Sequence, residues 1–327
     1  MSPKKGDAMS ETIVKAQNSN PSKRKAILIS SITGSVAICL GIAAGIVGAK
    51  FFGNKQTIDY SNVNVNALTD DIDAARSKYN KAKSSGTPLE QALKPSEMVN
   101  LAIANYSALP STKAVGLGSA LSMGVTQQIQ SIQIKNDGKY FEESNSIGLV
   151  NLFDRMYQDG DSTSCYWGDN SDYSSHAKRV YSNEEYANMM GRKVSDPMIY
   201  VISRKTAITK EESVKSGRGI SKIVKENGGY TVDLELNRKT SVVNYVKQMQ
   251  NISGLTGYPT FAYCHLTFHL SEDLMPIEYT SYEKYNATKA SVPLPVDIEG
   301  TLTTKFYTTG TYAIPSLSDV TSGEYSK

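Results

Sequence analysis

The chain has 327 residues, with 35 Lys and Arg against 32 Asp and Glu and a net charge of +3. No basic stripe is concentrated beyond the first 25 residues, which excludes a nucleic-acid binder, and the length allows one large or two small domains with real cores. Three cysteines without a C-x-x-C pair exclude a thiol-redox enzyme.

Residues 1–25 are polar and basic, lack apolar periodicity and read as a disordered cytoplasmic tail. Lys23, Arg24 and Lys25 close that tail, and Ala26 to Ala49 then carry no charged side chain. A bilayer core about 30 Å thick needs roughly 20 apolar helical residues, so residues 26–49 are expected to be a transmembrane helix. The Lys and Arg excess before the span places the N-terminus inside and residues 50–327 outside the cell membrane. A cleaved signal peptide fits less well, because its apolar core spans about 7–15 residues. A lipoprotein signal also fits less well, because Ile38 before Cys39 is not small. The expectation is a single-pass, uncleaved signal anchor. Ala37, Gly41, Gly45 and Ala49 recur every four residues along it, a face on which another helix can approach closely to form a homo- or hetero-oligomer.

Residues 50–89 read as a linker followed by a stalk helix. Leu68, Ile72, Ala75 and Tyr79 have helical spacing, with Asp70, Asp71 and Asp73 in the first turn where the helix dipole favours them. Pro95-Ser96-Glu97 opens a second helix with Met98, Leu101, Ala102, Asn105 and Ala108 or Leu109 inward, and Pro110 stops it. From Val125 the pattern is β. Asn136-Asp137-Gly138, Gln158-Asp159-Gly160-Asp161 and Glu226-Asn227-Gly228-Gly229 each separate two strand-like segments. Ser182-Asn183-Glu184-Glu185 is a capping box that starts a short helix to about Met190. A strand over Met198–Ala207 and a helix over Thr240–Asn251 follow from their spacing. The last third is a meander, with a turn at Ser271-Glu272-Asp273, and residues 319–327 are a polar tail. The fold class is α+β, a large curled antiparallel sheet whose apolar concave side is covered by helices or a ligand.

The element order, the stretch Ile132–Ser146 and the closing Ala313-Ile314-Pro315 together resemble the half-barrel fold of the lipoprotein carrier LolA and of envelope lipoproteins of the LppX and LprG type, over about residues 90–318. The resemblance implies an apolar cavity for acyl chains between sheet and helices. The chain departs from that family in its expected membrane helix, which stands in place of a cleaved signal or an acylated cysteine.

No catalytic signature stands out. His265 and His269 share one strand face but stand about 13 Å apart, too far to hold one metal ion. They read as a polar face, with Ala262, Cys264, Leu266, Phe268 and Leu270 buried opposite. Glu142 and Glu143 point to opposite faces of one strand and make no acid–base pair. Asp159, Asp161, Asp169 and Asp172 do not have EF-hand spacing. Gly116-Leu117-Gly118 lacks the rest of a phosphate loop. No metal site, cofactor or enzymatic activity is expected. The sequons at Asn105, Asn251 and Asn286 matter only in a glycosylating secretory pathway. Cys165 and Cys264 lie outside the membrane and are a candidate disulfide, with two small core residues as the alternative.

The expected function is an extracytoplasmic binding protein for a lipid or other apolar ligand, with Val232, Leu234, Leu266, Phe268, Ile298, Leu302 and Phe306 lining the groove. These side chains fit an ordinary filled core equally well. The alternative function is a non-enzymatic structural or assembly subunit of an envelope complex.

Overall fold

The structure is a computed structural model that describes residues 68–122, 124–147, 152–169, 177–190, 221–235, 260–289, 292–316 and 318. The expected anchor and its Ala37/Gly41/Gly45/Ala49 face, the linker, the strand at 198–207, the helix at 240–251 and the tail at 319–327 lie outside the described residues. Among the described residues no helix is long and apolar enough to cross a membrane.

Among the described residues eleven strands form one open antiparallel sheet: β1 (Ser111–Ser122), β2 (Val125–Asn136), β3 (Lys139–Ile147), β4 (Leu152–Asp159), β5 (Ser162–Asp169), β6 (Ala177–Ser182), β7 (Lys222–Glu226), β8 (Gly229–Glu235), β9 (Thr260–Ser271), β10 (Pro276–Lys289) and β11 (Val292–Tyr307). Their order is β6-β5-β4-β3-β2-β1-β11-β10-β9-β8-β7. The sheet is therefore two meanders, and the first and last strands pair at its centre. Such a sheet fits a half-barrel. Among the described residues four helices accompany it: α1 (Leu68–Ser85), α2 (Leu89–Ala92), α3 (Pro95–Ala108) and α4 (Asn183–Met190).

The turns form where the chain chemistry places them. Asp137 and Gly138 take φ of 47° and 76°, which closes the two-residue β2–β3 hairpin. At the start of α4, Ser182 Oγ accepts from the Glu185 N–H at 3.1 Å and the Glu185 carboxylate accepts from the Ser182 N–H at 2.8 Å, the reciprocal box the sequence predicts.

In α1, Ile72, Ala75, Tyr79 and Ala82 make one stripe, with both alanines buried. That stripe lies on α3, antiparallel to it: Arg76 donates to Asn105 Oδ1, and Lys78 pairs with Glu97. Val99 and Ile103 of α3 are buried along with the expected Met98, Leu101 and Ala102. This helix is sandwiched between α1 and the sheet, so its inward face is wider than one stripe. Asn105 is half-buried and donates to the Leu274 carbonyl, and Ala108 is exposed.

A second departure comes from a register shift between Lys284 and Tyr285 of β10 against β9, which pairs Phe261 with Tyr285 and Tyr263 with Lys284. At this shift Ala262 turns outward and is exposed, while Phe261 is buried in its stead. A bulge of this kind has no local sequence signal.

Candidate functional site

The inner face of the sheet, the side on which α1 and α3 lie, is the candidate site. Alternation on β8 puts Tyr230, Val232 and Leu234 on it, and register carries the pattern across: Val232 faces Phe268, Leu234 faces Leu266, Ser281 faces Leu302 and Tyr285 faces Ile298. All seven residues expected to line a groove are brought together, each at most 8 % exposed, in one cluster with Met98, Leu101, Ile103 and Tyr106 of α3. An aromatic run crosses its floor, with ring centroids 5.3 Å apart for Phe268 and Tyr279, 5.8 Å for Tyr279 and Phe306, and 4.9 Å for Phe306 and Tyr106. Burial pushes the Tyr106 hydroxyl well above the usual tyrosine range, and a hydrogen bond with Thr112 opposes the shift.

Cys264 belongs to this face and is a fully buried free thiol. The candidate disulfide with Cys165 is therefore not formed in this structure. Cys165 is on β5, and β4, β3, β2, β1, β11 and β10 all lie between the two cysteines in the sheet. Burial, together with the nearby Glu283 and Glu235 carboxylates, raises the Cys264 thiol well above its ordinary value, which makes it a poor nucleophile.

At β1 the inner face changes character. Ala114, Gly116, Gly118 and Ala120 hold the seam, and beyond it come Gln127, Ser131, Gln133, Glu142, Ser144 and Thr163. Glu142 is buried and accepts from Gln133 Nε2 at 3.0 Å and from the Tyr140 hydroxyl at 3.3 Å. Lys135 donates to the Ser107 carbonyl at 2.6 Å and so caps the C-terminal end of α3. A Cβ on Gly118 would stand 2.2 Å from the Thr301 carbonyl oxygen, so only glycine fits there. The two glycines are seam residues, and this polar half of the face is what sequence reading missed. Its signal was present in the Gln127, Ile129, Ser131, Gln133 alternation, in which the more polar set of β2 points inward.

The outer face is polar on the β7–β10 side, as read for His265 and His269. His265 Nδ1 lies 3.0 Å from Glu235 Oε2, its Nε2 lies 3.5 Å from Asp233 Oδ1, and the Thr267 hydroxyl donates to Asp233 at 2.8 Å. His269 contacts Thr231 instead, so the two histidines hold separate partners. On the β2–β4 side the outer face is apolar. Ile134, Phe141 and Tyr157 are buried there, and Tyr312 and Ile314 of the C-terminal segment pack against them with Ile132. Glu143 sits on the same side and accepts from Arg155 Nε at 2.6 Å, with both side chains buried. Glu142 and Glu143 thus face opposite sides of β3, as alternation requires. Asp159 is a turn residue paired with Lys139.

No protein-family model and no curated protein matches the chain. Among solved structures, a DUF1329 family protein from Desulfovibrio piger is similar at 9 % identity and a TM-score of 0.26, covering 69 % of this chain and 95 % of the other. A bifunctional dehydratase-cyclase domain in ambruticin biosynthesis is similar at 11 % identity and a TM-score of 0.10, covering 66 % and 82 %. Both scores are low, and neither protein lends this chain a ligand or an activity.

Proposed function

We propose that this chain is a non-enzymatic, membrane-anchored extracytoplasmic binding protein whose sheet takes an amphipathic ligand, a lipid in the first instance. One observation carries this reading. The inner face passes from a mainly apolar half on β8–β11, with Val232, Leu234, Leu266, Phe268, Ile298, Leu302 and Phe306 around the buried Glu283 carboxylate, to a half on β2–β5 richer in hydrogen-bonding groups, with Ser131, Gln133, Glu142 and Ser144 beside the buried Ile129 and Met156. The narrow seam of Gly116 and Gly118 divides them. A trough with apolar walls and a few placed polar groups is the usual form of a small-molecule site. An acyl chain would lie under α3 and its polar end against Gln133 and Ser131, both only half-buried.

A specific observation favours the second reading, an assembly subunit of an envelope complex. The seven apolar side chains are closed over by the chain's own α1 and α3, and a filled core needs no ligand. Native mass spectrometry of the full-length protein, released from detergent after incubation with membrane lipids, separates the two. A stoichiometric amphiphile that survives purification supports the binding protein. A clean apo mass sinks it and leaves the assembly subunit.

A further inference from the structure

The β9–β10 turn breaks a local rule. It runs Ser271-Glu272-Asp273-Leu274-Met275, and Leu274 takes a φ of 52°. That is the left-handed region, where a side chain crowds its own backbone and glycine or asparagine is the usual choice. A bulky residue stays there only when its surroundings hold it. Two contacts do so. The Leu274 side chain is 1 % exposed and belongs to the apolar cluster of the inner face. Its carbonyl accepts from Asn105 Nδ2 at 3.2 Å, and Asn105 Oδ1 accepts from Arg76 at 3.3 Å. One side-chain amide therefore joins the turn, α3 and α1.

The turn is stiff within itself and irregular at its base. The Ser271 N–H donates to the Met275 carbonyl at 2.9 Å, the Leu274 N–H donates to the Ser271 carbonyl at 3.0 Å, and Ser271 Oγ accepts from the Met275 N–H at 3.0 Å. Directly after Met275 the register against β9 shifts: Pro276 faces Leu270 and Glu278 faces His269, with the 51 % exposed Ile277 between them. The end of α3 that meets Leu274 is fixed by contrast. Lys135 donates to the Ser107 carbonyl, the Asp137 N–H donates to the Pro110 carbonyl, and Pro110 leads directly into β1. Of these two elements the turn is the one that can swing, because an irregular strand end absorbs backbone change. It is also the strained one, so parting relieves its backbone.

We propose that the β9–β10 turn is a flap, hinged at Pro276 and Ile277 and latched by Leu274 and Asn105, over the way into the apolar half of the inner face. A core closed over by α1 and α3 admits a ligand only by opening, and this is where it opens. What passes under the flap, an acyl chain, rests on the binding reading above, whereas the flap itself rests on the turn.

The test reads opening by thiol labelling of the full chain. Leu270→Cys puts a thiol directly behind the flap, and Cys264, buried farther along the same strand, is the reference. Labelling by N-ethylmaleimide is followed by the mass of each cysteine-bearing peptide, and each rate is divided by that of the same thiol in the urea-unfolded chain. Position 270 should react at least about tenfold faster than Cys264, the scale set by freeing one buried leucine side chain instead of the whole core. Adding Leu274→Gly, which suits a left-handed turn and removes the plug, should speed position 270 about tenfold further and leave Cys264 unchanged. Asn105→Ala removes only the polar latch and should speed it about threefold, a check that stands even where Leu274→Gly costs the chain its fold. Equal rates at the two thiols, or no response to either variant, overturns the flap, because the core then opens only by global unfolding. N-dodecylmaleimide, which carries an acyl-like chain, separates the flap from the binding reading. Its reaction at position 270 supports entry under the flap. A flap response to N-ethylmaleimide with no reaction of the dodecyl reagent supports the flap and overturns the acyl ligand.

Discussion

The two wings of the sheet share one topology and bury opposite faces. The wing of β7–β11 turns Val232, Leu266, Phe268, Leu302 and Phe306 inward under α1 and α3 and leaves Thr231, His269, Thr280 and Thr303 outside. The wing of β2–β4 turns Gln133, Glu142 and Ser144 inward and packs Ile134, Phe141 and Tyr157 outward beneath the C-terminal segment. Strand pairing by itself is indifferent to this choice. What decides it is which face meets a covering element, helices in one wing and the segment Tyr312–Ile314 in the other. One wing thus turns a mainly apolar surface inward, with Glu283 buried in it, and the other turns more polar groups inward.

The comparison breaks most sharply at Leu266. Leu266→Asp places a carboxylate in a fully buried apolar position, and a cost above about 4 kcal/mol is expected. Loss of the cooperative thermal transition by circular dichroism checks it, and a native-like melt would mean that the β8–β11 wing is not a closed core. The β2–β4 wing is probed at its buried ion pair. Arg155→Met leaves Glu143 buried without this partner, and a loss of about 3–5 kcal/mol in urea unfolding is expected. Combining it with Glu143→Leu should recover part of that loss, because the stranded carboxylate goes too. If the double variant is no more stable than Arg155→Met alone, the pair is not what makes that position costly.

The seam between the wings answers to Gly118→Ala. The added methyl meets the Thr301 main chain, which cannot move aside as a side chain can, so about 1–3 kcal/mol is expected. A neutral result would show that the two central strands separate easily. The smallest effect is at Glu97, which serves the helical cover. Its half-buried carboxylate feels desolvation that raises its pKa, but hydrogen bonds from Lys78 and the Lys94 N–H outweigh this and hold it below the ordinary glutamate value. A folded-state pKa below the unfolded one stabilises above about pH 4.3 and loses that contribution as pH falls through the folded value. Glu97→Gln should therefore lower the melting temperature slightly at pH 7, with the gap closing below about pH 4. A gap that persists in acid would rule out the carboxylate as its source.

The local elements were legible because they rest on local chemistry. Asp137-Gly138 demands a left-handed turn, Ser182 and Glu185 cap each other, and Pro95 and Pro110 bracket α3. Strands with clean alternation, such as Tyr230–Leu234 and Ile298–Phe306, declared their buried side. Two strands were not read. β1, at the centre of the sheet, is built from Ala, Gly and Ser, residues with little strand preference of their own. It is held as a strand by β2 and β11 on its two sides. β6 follows a serine-rich stretch that reads as loop. The outward turn of Ala262 also had no local cause, since it follows from a register shift against β10.

The sequence by itself determined the turns, the helix ends, the strand periodicity and the antiparallel α+β class, because each follows from interactions within a few residues. Only the tertiary structure decided that β1 and β11 meet at the centre, that the buried face changes sides between the wings, and that Cys264 stays a free thiol with Cys165 in the other wing. Those outcomes depend on groups far apart in the chain, such as Gly118 with Leu302 or the Ile134, Phe141 and Tyr157 cluster with Ile314, and no window of sequence contains both partners.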